Sequence, residues 1–258
     1  MEPRSTPTLL VFTLGAPAES ARRGLLPGER GLETALWEGC LGAALDAGRA
    51  CGCRLEVCSP APLPALSAAS GTGGLYSVPQ PDGPFGRRLE QAVLDAFTRG
   101  AGPLLVVGTD VPGLAARHLD RALAALAEDA DRVVLGPSPD GGFYLLACRR
   151  PIAELAGATR WRRSDTLRGL IRSLRAAGRP VVLLEPLRDL DRRADLERWL
   201  ATGPAAETPW RSLARSLGQL LARRRRPLIP VRLGRLHPAF GLTDAGRAPP
   251  IQPAPWNP

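Results

Sequence analysis

The feature that most constrains this chain is the run Leu104-Leu105-Val106-Val107, apolar at every position and followed at once by Gly108-Thr109-Asp110. A strand with one wet face alternates apolar and polar residues. One with no polar position is covered on both faces, which places it inside a sheet with helices above and below. Other short apolar runs predict strands at Leu9–Thr13, Arg54–Cys58, Arg132–Leu135, Phe143–Ala147 and Val181–Leu184. Between them, helical spacing predicts helices at Leu32–Ala50, Phe85–Thr98, Leu114–Ala127, Ser164–Ala176 and Asp191–Leu200. In the second of these, Leu89, Ala92, Val93 and Ala96 share one face. Strands alternating with helices imply an α/β, doubly wound, mostly parallel sheet. Such sheets bind ligands beyond the carboxyl ends of their strands, so the loops after Thr13, Gly108, Leu135 and Leu184 are where a site is expected. Ser59–Pro84, rich in Pro, Ser and Gly, reads as a long loop with a short helix near Leu63–Ala69.

Charge divides the chain in two. The formal net charge is +9, and every basic residue is arginine. Residues 1–200 carry 25 arginines against 23 carboxylates, whereas residues 201–258 carry 9 against Glu207 and Asp244. The expected organisation is therefore a domain over 1–200 and an Arg/Pro-rich tail over 201–258, with one helix at Glu207–Arg226 and a mostly disordered terminus. Arginine in place of every lysine, beside abundant Ala, Gly and Pro, fits a compositional bias, and nucleic acid is not expected as a partner. Cys40, Cys51, Cys53, Cys58 and Cys148 lack the paired spacing of a zinc site and read as free thiols. The apolar stretch Thr8–Ala18 is too short for a secretory leader, and Glu2 offsets Arg4 ahead of it; a buried first strand explains it better. No run approaches the roughly 20 apolar residues of a membrane span, and a cytoplasmic protein is expected.

Two segments carry candidate chemistry. Gly108-Thr109-Asp110-Val111-Pro112-Gly113-Leu114 ends the central strand and opens a helix, so Asp110 falls on the crevice rim. A carboxylate there can hold Mg²⁺ together with substrate phosphates, or it can cap the helix that follows. Gly136-Pro137-Ser138-Pro139-Asp140-Gly141-Gly142-Phe143-Tyr144 follows the next strand. Its glycines allow backbone approach to a ligand, and Asp140 is placed for an acceptor contact or a general base; the same triplet can also make a hairpin turn. The two segments are expected at the ends of adjacent strands.

These residues, with Gly83–Leu89, Trp161, Thr166-Leu167 and Pro186–Leu196, closely resemble the GT-A-like family of arsenosugar-biosynthesis-type glycosyltransferases, also known as domain of unknown function 2064. The resemblance covers residues 8–200 and leaves the tail outside. It implies a nucleotide-diphospho-sugar transferase fold and a nucleotide site at the end of the first strand, with Gly15, Arg22, Arg23, Gly86, Arg88 and Thr109 as nucleotide contacts. It further implies Asp110 and Asp191 as ligands of Mg²⁺ or Mn²⁺, with Asp189 beside them. Asp140 is then the catalytic carboxylate, and Gly141, Gly142, Tyr144 and Trp161 are contacts to sugar or acceptor. Asp191 equally suits an N-cap for the last helix. One departure stands in the first loop: Arg23 occupies the family's lysine position, but Leu25 stands where the family carries arginine.

The function this implies is metal-dependent transfer of a sugar from a nucleotide-diphosphate donor to a small acceptor. Three alternatives remain open on sequence. One is nucleotidyl transfer from an NTP to a phosphorylated small molecule, and another is a catalytically weak nucleotide-binding protein, suggested by the altered first loop. The third is nucleic-acid binding through Arg223–Arg226.

Overall fold

The computed structural model describes residues 6–61, 63, 75–153, 155–202 and 210–225, with side chains described as far as residue 222. Seven strands form one sheet: β1 (Thr8–Phe12), β2 (Arg54–Ser59), β3 (Leu75–Pro79), β4 (Leu104–Val107), β5 (Val133–Pro137), β6 (Phe143–Cys148) and β7 (Val181–Leu183). Their spatial order is β3-β2-β1-β4-β6-β5-β7. All neighbours pair in parallel except β6, which runs antiparallel between β4 and β5. The helices are α1 (Ala16–Arg23), α2 (Arg30–Ala50), α3 (Phe85–Thr98), α4 (Ala116–Glu128), α5 (Thr166–Ala176), α6 (Arg193–Ala201) and α7 (Trp210–Arg225), with a 3₁₀ turn at Leu155–Gly157.

Side chains alternate across the sheet and build a core on each face. Leu9, Val11, Leu105, Val107 and Leu145 pack with α2 and α4. Leu10, Leu104, Val106, Leu135 and Leu146 pack with α3 and α5 on the other side. This two-sided burial is what the unbroken apolar run of β4 required, and the α/β, mostly parallel architecture is as the sequence implied.

Four local readings change. The segment after β1 is a helix, not a loop: Pro17 suits a first turn, Glu19 and then Arg22 and Arg23 complement the helix dipole, and Gly24 ends it at φ 55. At eight residues it carries no apolar side chain larger than alanine or proline, so apolar spacing gave no signal. β3 lies inside the stretch expected to be loop; an edge strand whose middle residues Tyr76 and Ser77 are exposed gives a weak apolar signal. Apart from Leu63, the short helix expected near Leu63–Ala69 falls outside the described residues. Third, β4 and β5 are not adjacent, because β6 returns between them; the Asp140 segment is the β5–β6 turn. Finally, α7 is not free of the rest. Trp210, Leu217 and Leu221 share a buried cluster with Leu25, Leu26, Leu36, Cys40, Leu190 and Leu196, and the Trp210 ring lies against Gly39 of α2. The terminus beyond Arg225, including Arg226, and the side chains of Arg223–Arg225 lie outside the described residues.

Candidate active site

The sheet turns from one winding direction to the other between β1 and β4, and a crevice opens over their carboxyl ends, where open α/β sheets place ligands. Thr13 and Thr109, the residues that close it, are hydroxyl to hydroxyl at 3.0 Å, and Trp37 Nε1 donates to Thr13 Oγ1 at 3.0 Å. Above them lies a cavity of about 420 Å³. All four loops expected to carry a site contribute to it: Thr13 and Leu14, Gly108–Asp110, Asp140 and Gly142, and Asp189, Asp191 and Arg192.

One wall is acidic. The segment Asp189-Leu190-Asp191 is pinned at its middle: Leu190 is 1% exposed in the core, and its N–H donates to the Asp110 carbonyl at 2.8 Å. In an extended segment the residues flanking a buried one turn the other way, so both aspartates line the cavity. Asp140 joins them from the β5–β6 turn, its Oδ1 accepting the Gly142 N–H at 2.8 Å. Ligand atoms of Asp140, Asp189 and Asp191 lie within 4.8 Å of one another. Burial, and then the charges of Asp140, Asp110 and Asp191, push the Asp189 carboxyl up to about 7. Asp191 Oδ1 is buried without a hydrogen-bond partner among the described residues. Three carboxylates crowded to this distance are the donor set of a hard divalent cation, although Asp191 Oδ1 also lies 3.6 Å from Arg22 and 3.8 Å from Arg23; the residues fit the Mg²⁺ or Mn²⁺ that the sequence suggested.

Asp110 stands beside this group but outside it. Its carboxylate faces Arg23 at 3.4 Å, and burial raises its pKa despite that arginine. Arg23 itself is 7% exposed and is also held by Glu19 at 3.0 Å and Asp191 at 3.8 Å. Burial works against its charge, but Asp110, Glu19 and Asp191 outweigh it and raise its pKa. Arg23 is thus enclosed by carboxylates behind the cavity wall. Arg22, bonded to Glu19 at 3.0 Å and 3.6 Å from Asp191, lines the cavity.

The opposite wall is aromatic and basic. Phe12, Phe85, Trp161 and Phe143 form a chain of ring contacts, with centroids 5.8, 5.4 and 6.1 Å apart. The Arg88 guanidinium lies 5.9 Å from the Phe12 centroid and donates to Gln80 Oε1. Gln80 in turn donates to the Thr13 carbonyl at 3.1 Å. Arg162, Arg163 and Arg192 complete the rim.

Of the residues singled out from sequence, Arg22, Arg88, Thr109, Asp110, Asp140, Gly142, Tyr144, Trp161 and Asp191 line the cavity; Gly15, Arg23, Gly86 and Gly141 do not. Gly86 lies under the Trp161 indole. Gly141, at φ 93, passes so close to the Ser164 carbonyl that any Cβ would collide with it. Tyr144 is 3% exposed and donates its hydroxyl to the Glu185 carbonyl at 3.1 Å. The position that lacks the family's arginine, Leu25, is 4% exposed in the cluster beneath α7. Ligand atoms of Asp191 lie within 4.8 Å of those of Asp189 and Asp140, and Asp110, the other ligand expected from sequence, lines the same cavity. Phe12, Phe85, Phe143, Arg162, Arg163 and Arg192 were not foreseen as site residues. Only the Asp-Leu-Asp pattern and the paired arginines at 162 and 163 could have hinted at the set, and neither is specific.

The α/β fold is shared with solved structures. It superposes with TM-score 0.72 on a protein of Desulfovibrio desulfuricans G20 provisionally assigned as a nucleotide-diphospho-sugar transferase, at 21% identity over 84% of this chain and 98% of that one. A Bacillus anthracis protein provisionally assigned as a glucose-1-phosphate thymidylyltransferase, in complex with a sucrose, matches with TM-score 0.50 at 11% identity over 78% and 97%. In sequence, residues 44–163 match the family model described as an uncharacterized protein conserved in bacteria (DUF2064). No curated protein matches the chain. None of the described helices is long and apolar enough to cross a membrane.

Proposed function

We propose that this chain is a metal-dependent glycosyltransferase-like enzyme that transfers a sugar from a nucleotide-diphosphate donor to a small acceptor. The observation that carries it is the pairing, across one cavity at the switch point of the sheet, of three crowded aspartates with rim arginines. Asp140, Asp189 and Asp191 would hold Mg²⁺ or Mn²⁺, which when bound neutralises phosphate charge in the leaving group. Arg22, Arg88 and Arg192 present guanidinium groups to the same space, where N–H forks suit phosphate oxygens. Charges fixed in place before the reaction need no reorganisation as the leaving group becomes more anionic. The Phe12–Phe143 ring chain offers an apolar face to a base or to the carbon face of a sugar. In this reading Asp140, expected as a general base, acts with the metal ligands. The missing arginine at Leu25 costs the cavity nothing, because that position faces the core.

The test is a panel of nucleotide sugars with Mg²⁺ or Mn²⁺, assayed for release of nucleoside diphosphate with and without candidate acceptors. Metal-dependent release that disappears in Asp189→Asn supports the reading. Release of pyrophosphate from an NTP and a sugar phosphate would replace it with nucleotidyl transfer. Nucleotide binding without turnover of any donor would leave a binding protein.

A further inference from the structure

The aspartate cluster poses a mechanical problem. Asp189 and Asp191 both stand on the segment that links β7 to α6, and ligand atoms of these two and of Asp140 lie within 4.8 Å of one another. Like charges at such a distance repel, so something must hold the segment against the cavity. Its backbone supplies little. The Leu187 N–H donates to the Pro137 carbonyl at 3.1 Å, the Leu190 N–H to the Asp110 carbonyl at 2.8 Å, and the Arg192 N–H to Asp195 Oδ2 at 2.9 Å. From 181 to 195 one residue is buried, and it is Leu190, between the two aspartates. Because the flanking residues of an extended segment turn the other way, the burial of this one side chain orients both carboxylates.

Leu190 does not enter the core of the sheet. The cluster that receives it is built by Leu25 and Leu26 after α1, Leu36 and Cys40 of α2, Leu196 of α6, and Trp210, Leu217 and Leu221 of α7; among the described residues no strand contributes to it. Helix α7 closes this cluster. Trp210 is 4% exposed, and its ring rests on Gly39 of α2 so tightly that a Cβ there would overlap it. The same ring meets that of Trp199 edge-on, with centroids 5.3 Å apart. Trp199 belongs to α6, which begins two residues after Asp191. Trp210 therefore bears on the ligand segment twice: through the cluster that holds Leu190, and through the helix into which Asp191 leads. In a close-packed interior, a gap at either residue lets its neighbours shift.

We propose that Leu190 and Trp210 are positioning residues that hold Asp189 and Asp191 in the cavity wall, so that α7, none of whose described side chains lines the cavity, governs how tightly the three aspartates grip a divalent cation. This role rests on the reading of those aspartates as metal ligands. Neither residue touches the ion; each fixes where the carboxylates stand, as residues behind metal ligands do.

Mn²⁺ titration of the full chain, followed by the electron paramagnetic resonance of the free ion below the melting transition of every variant, needs no turnover. Leu190→Ala should bind Mn²⁺ about tenfold more weakly, and Trp210→Leu about threefold. Leu190→Met, which refills the space, should stay within about twofold of wild type. Where Leu190→Ala does not fold, Leu190→Val takes its place, with a loss of about threefold. Leu174→Ala is a comparable deletion in the core on the other face of the sheet; it should lower stability and leave Mn²⁺ affinity as it is. Wild-type affinity in both the Leu190 deletion and Trp210→Leu, or an equal loss in Leu174→Ala, overturns the proposal. Hydrogen exchange at the Leu190 amide, followed by NMR without metal, is the second readout. Trp210→Leu should speed it, and Leu174→Ala should not. A wild type that binds no Mn²⁺ refutes the metal reading itself; faster exchange in Trp210→Leu then still supports the hold of α7 on the segment, and unchanged exchange refutes that as well.

Discussion

Replacing Arg23 by Met tests whether this arginine is a structural counter-charge or a ligand contact. Its side chain is 7% exposed and touches Glu19, Asp110 and Asp191 at 3.0, 3.4 and 3.8 Å. Glu19 keeps Arg22 at 3.0 Å when Arg23 is gone, but Asp110 loses its one ion-pair partner among the described residues. Removing one member of a buried pair costs about 3–5 kcal/mol. Asp110 keeps a quarter of its side chain exposed, so the lower end, about 3 kcal/mol, is expected. For a chain of this size that is a fall of roughly 6–12 °C in melting temperature. The sign of the pH dependence follows from Asp110. Burial already raises its pKa above the usual carboxylate value, and without Arg23 it rises further. An acid whose folded pKa lies above its unfolded pKa holds its proton more tightly when folded, so its penalty is absent at low pH and grows as pH rises. The loss of stability caused by Arg23→Met should therefore be smaller near pH 5 than near pH 8. The assay is thermal unfolding followed by circular dichroism at both pH values, with Asp110→Asn/Arg23→Met as the companion. That double variant should recover part of the loss at pH 8, because no carboxylate is left stranded. A single variant melting within about 2 °C of wild type, or a loss equal at both pH values, would refute the reasoning.

The pKa of Asp189, raised to about 7 by burial first and then by Asp140, Asp110 and Asp191, predicts that metal-free protein loses stability as pH climbs from about 4 to 7. Asp189→Asn should flatten that slope in urea titrations while weakening Mn²⁺ binding, and an unchanged slope would contradict it. Gly141→Ala should destabilise the chain by about 2 kcal/mol or more, since φ 93 and the Ser164 carbonyl both oppose a side chain; a melting temperature like that of wild type would show that the loop gives way. Truncation after Thr202 removes Trp210, Leu217 and Leu221 from the face of α2, and loss of one such aromatic alone costs about 3–5 kcal/mol. The shortened chain should melt markedly lower; an unchanged midpoint would restore residues 201–258 to the status of an appendage. Leu25→Arg should also lower the midpoint, by placing a charge in that same cluster, and a gain in nucleotide binding without that loss would count against the placement of Leu25.

Whatever is local or periodic in this protein was legible in the amino-acid sequence. The apolar run of β4 demanded cover on both faces, and helical spacing located α2 through α6 to within a few residues. The loops that would meet at a site followed from strand direction alone. Sequence could not say which loops touch, because that depends on strand order. β6 slips antiparallel between β4 and β5, and so carries Asp140 to within 4.8 Å of Asp189 and Asp191. Nor could it tell a charge facing a cavity from one facing a core: Arg22 and Arg23 are neighbours in sequence, yet one lines the cavity and the other is enclosed by three carboxylates. The same holds for the basic residues. Net charge drew attention to the tail, where arginines cluster in sequence, whereas Arg160 of loop 157–166 and Arg172 of α5 share one depression only because the loop folds back on the helix. Composition counts charges, but only tertiary packing decides which of them find a partner.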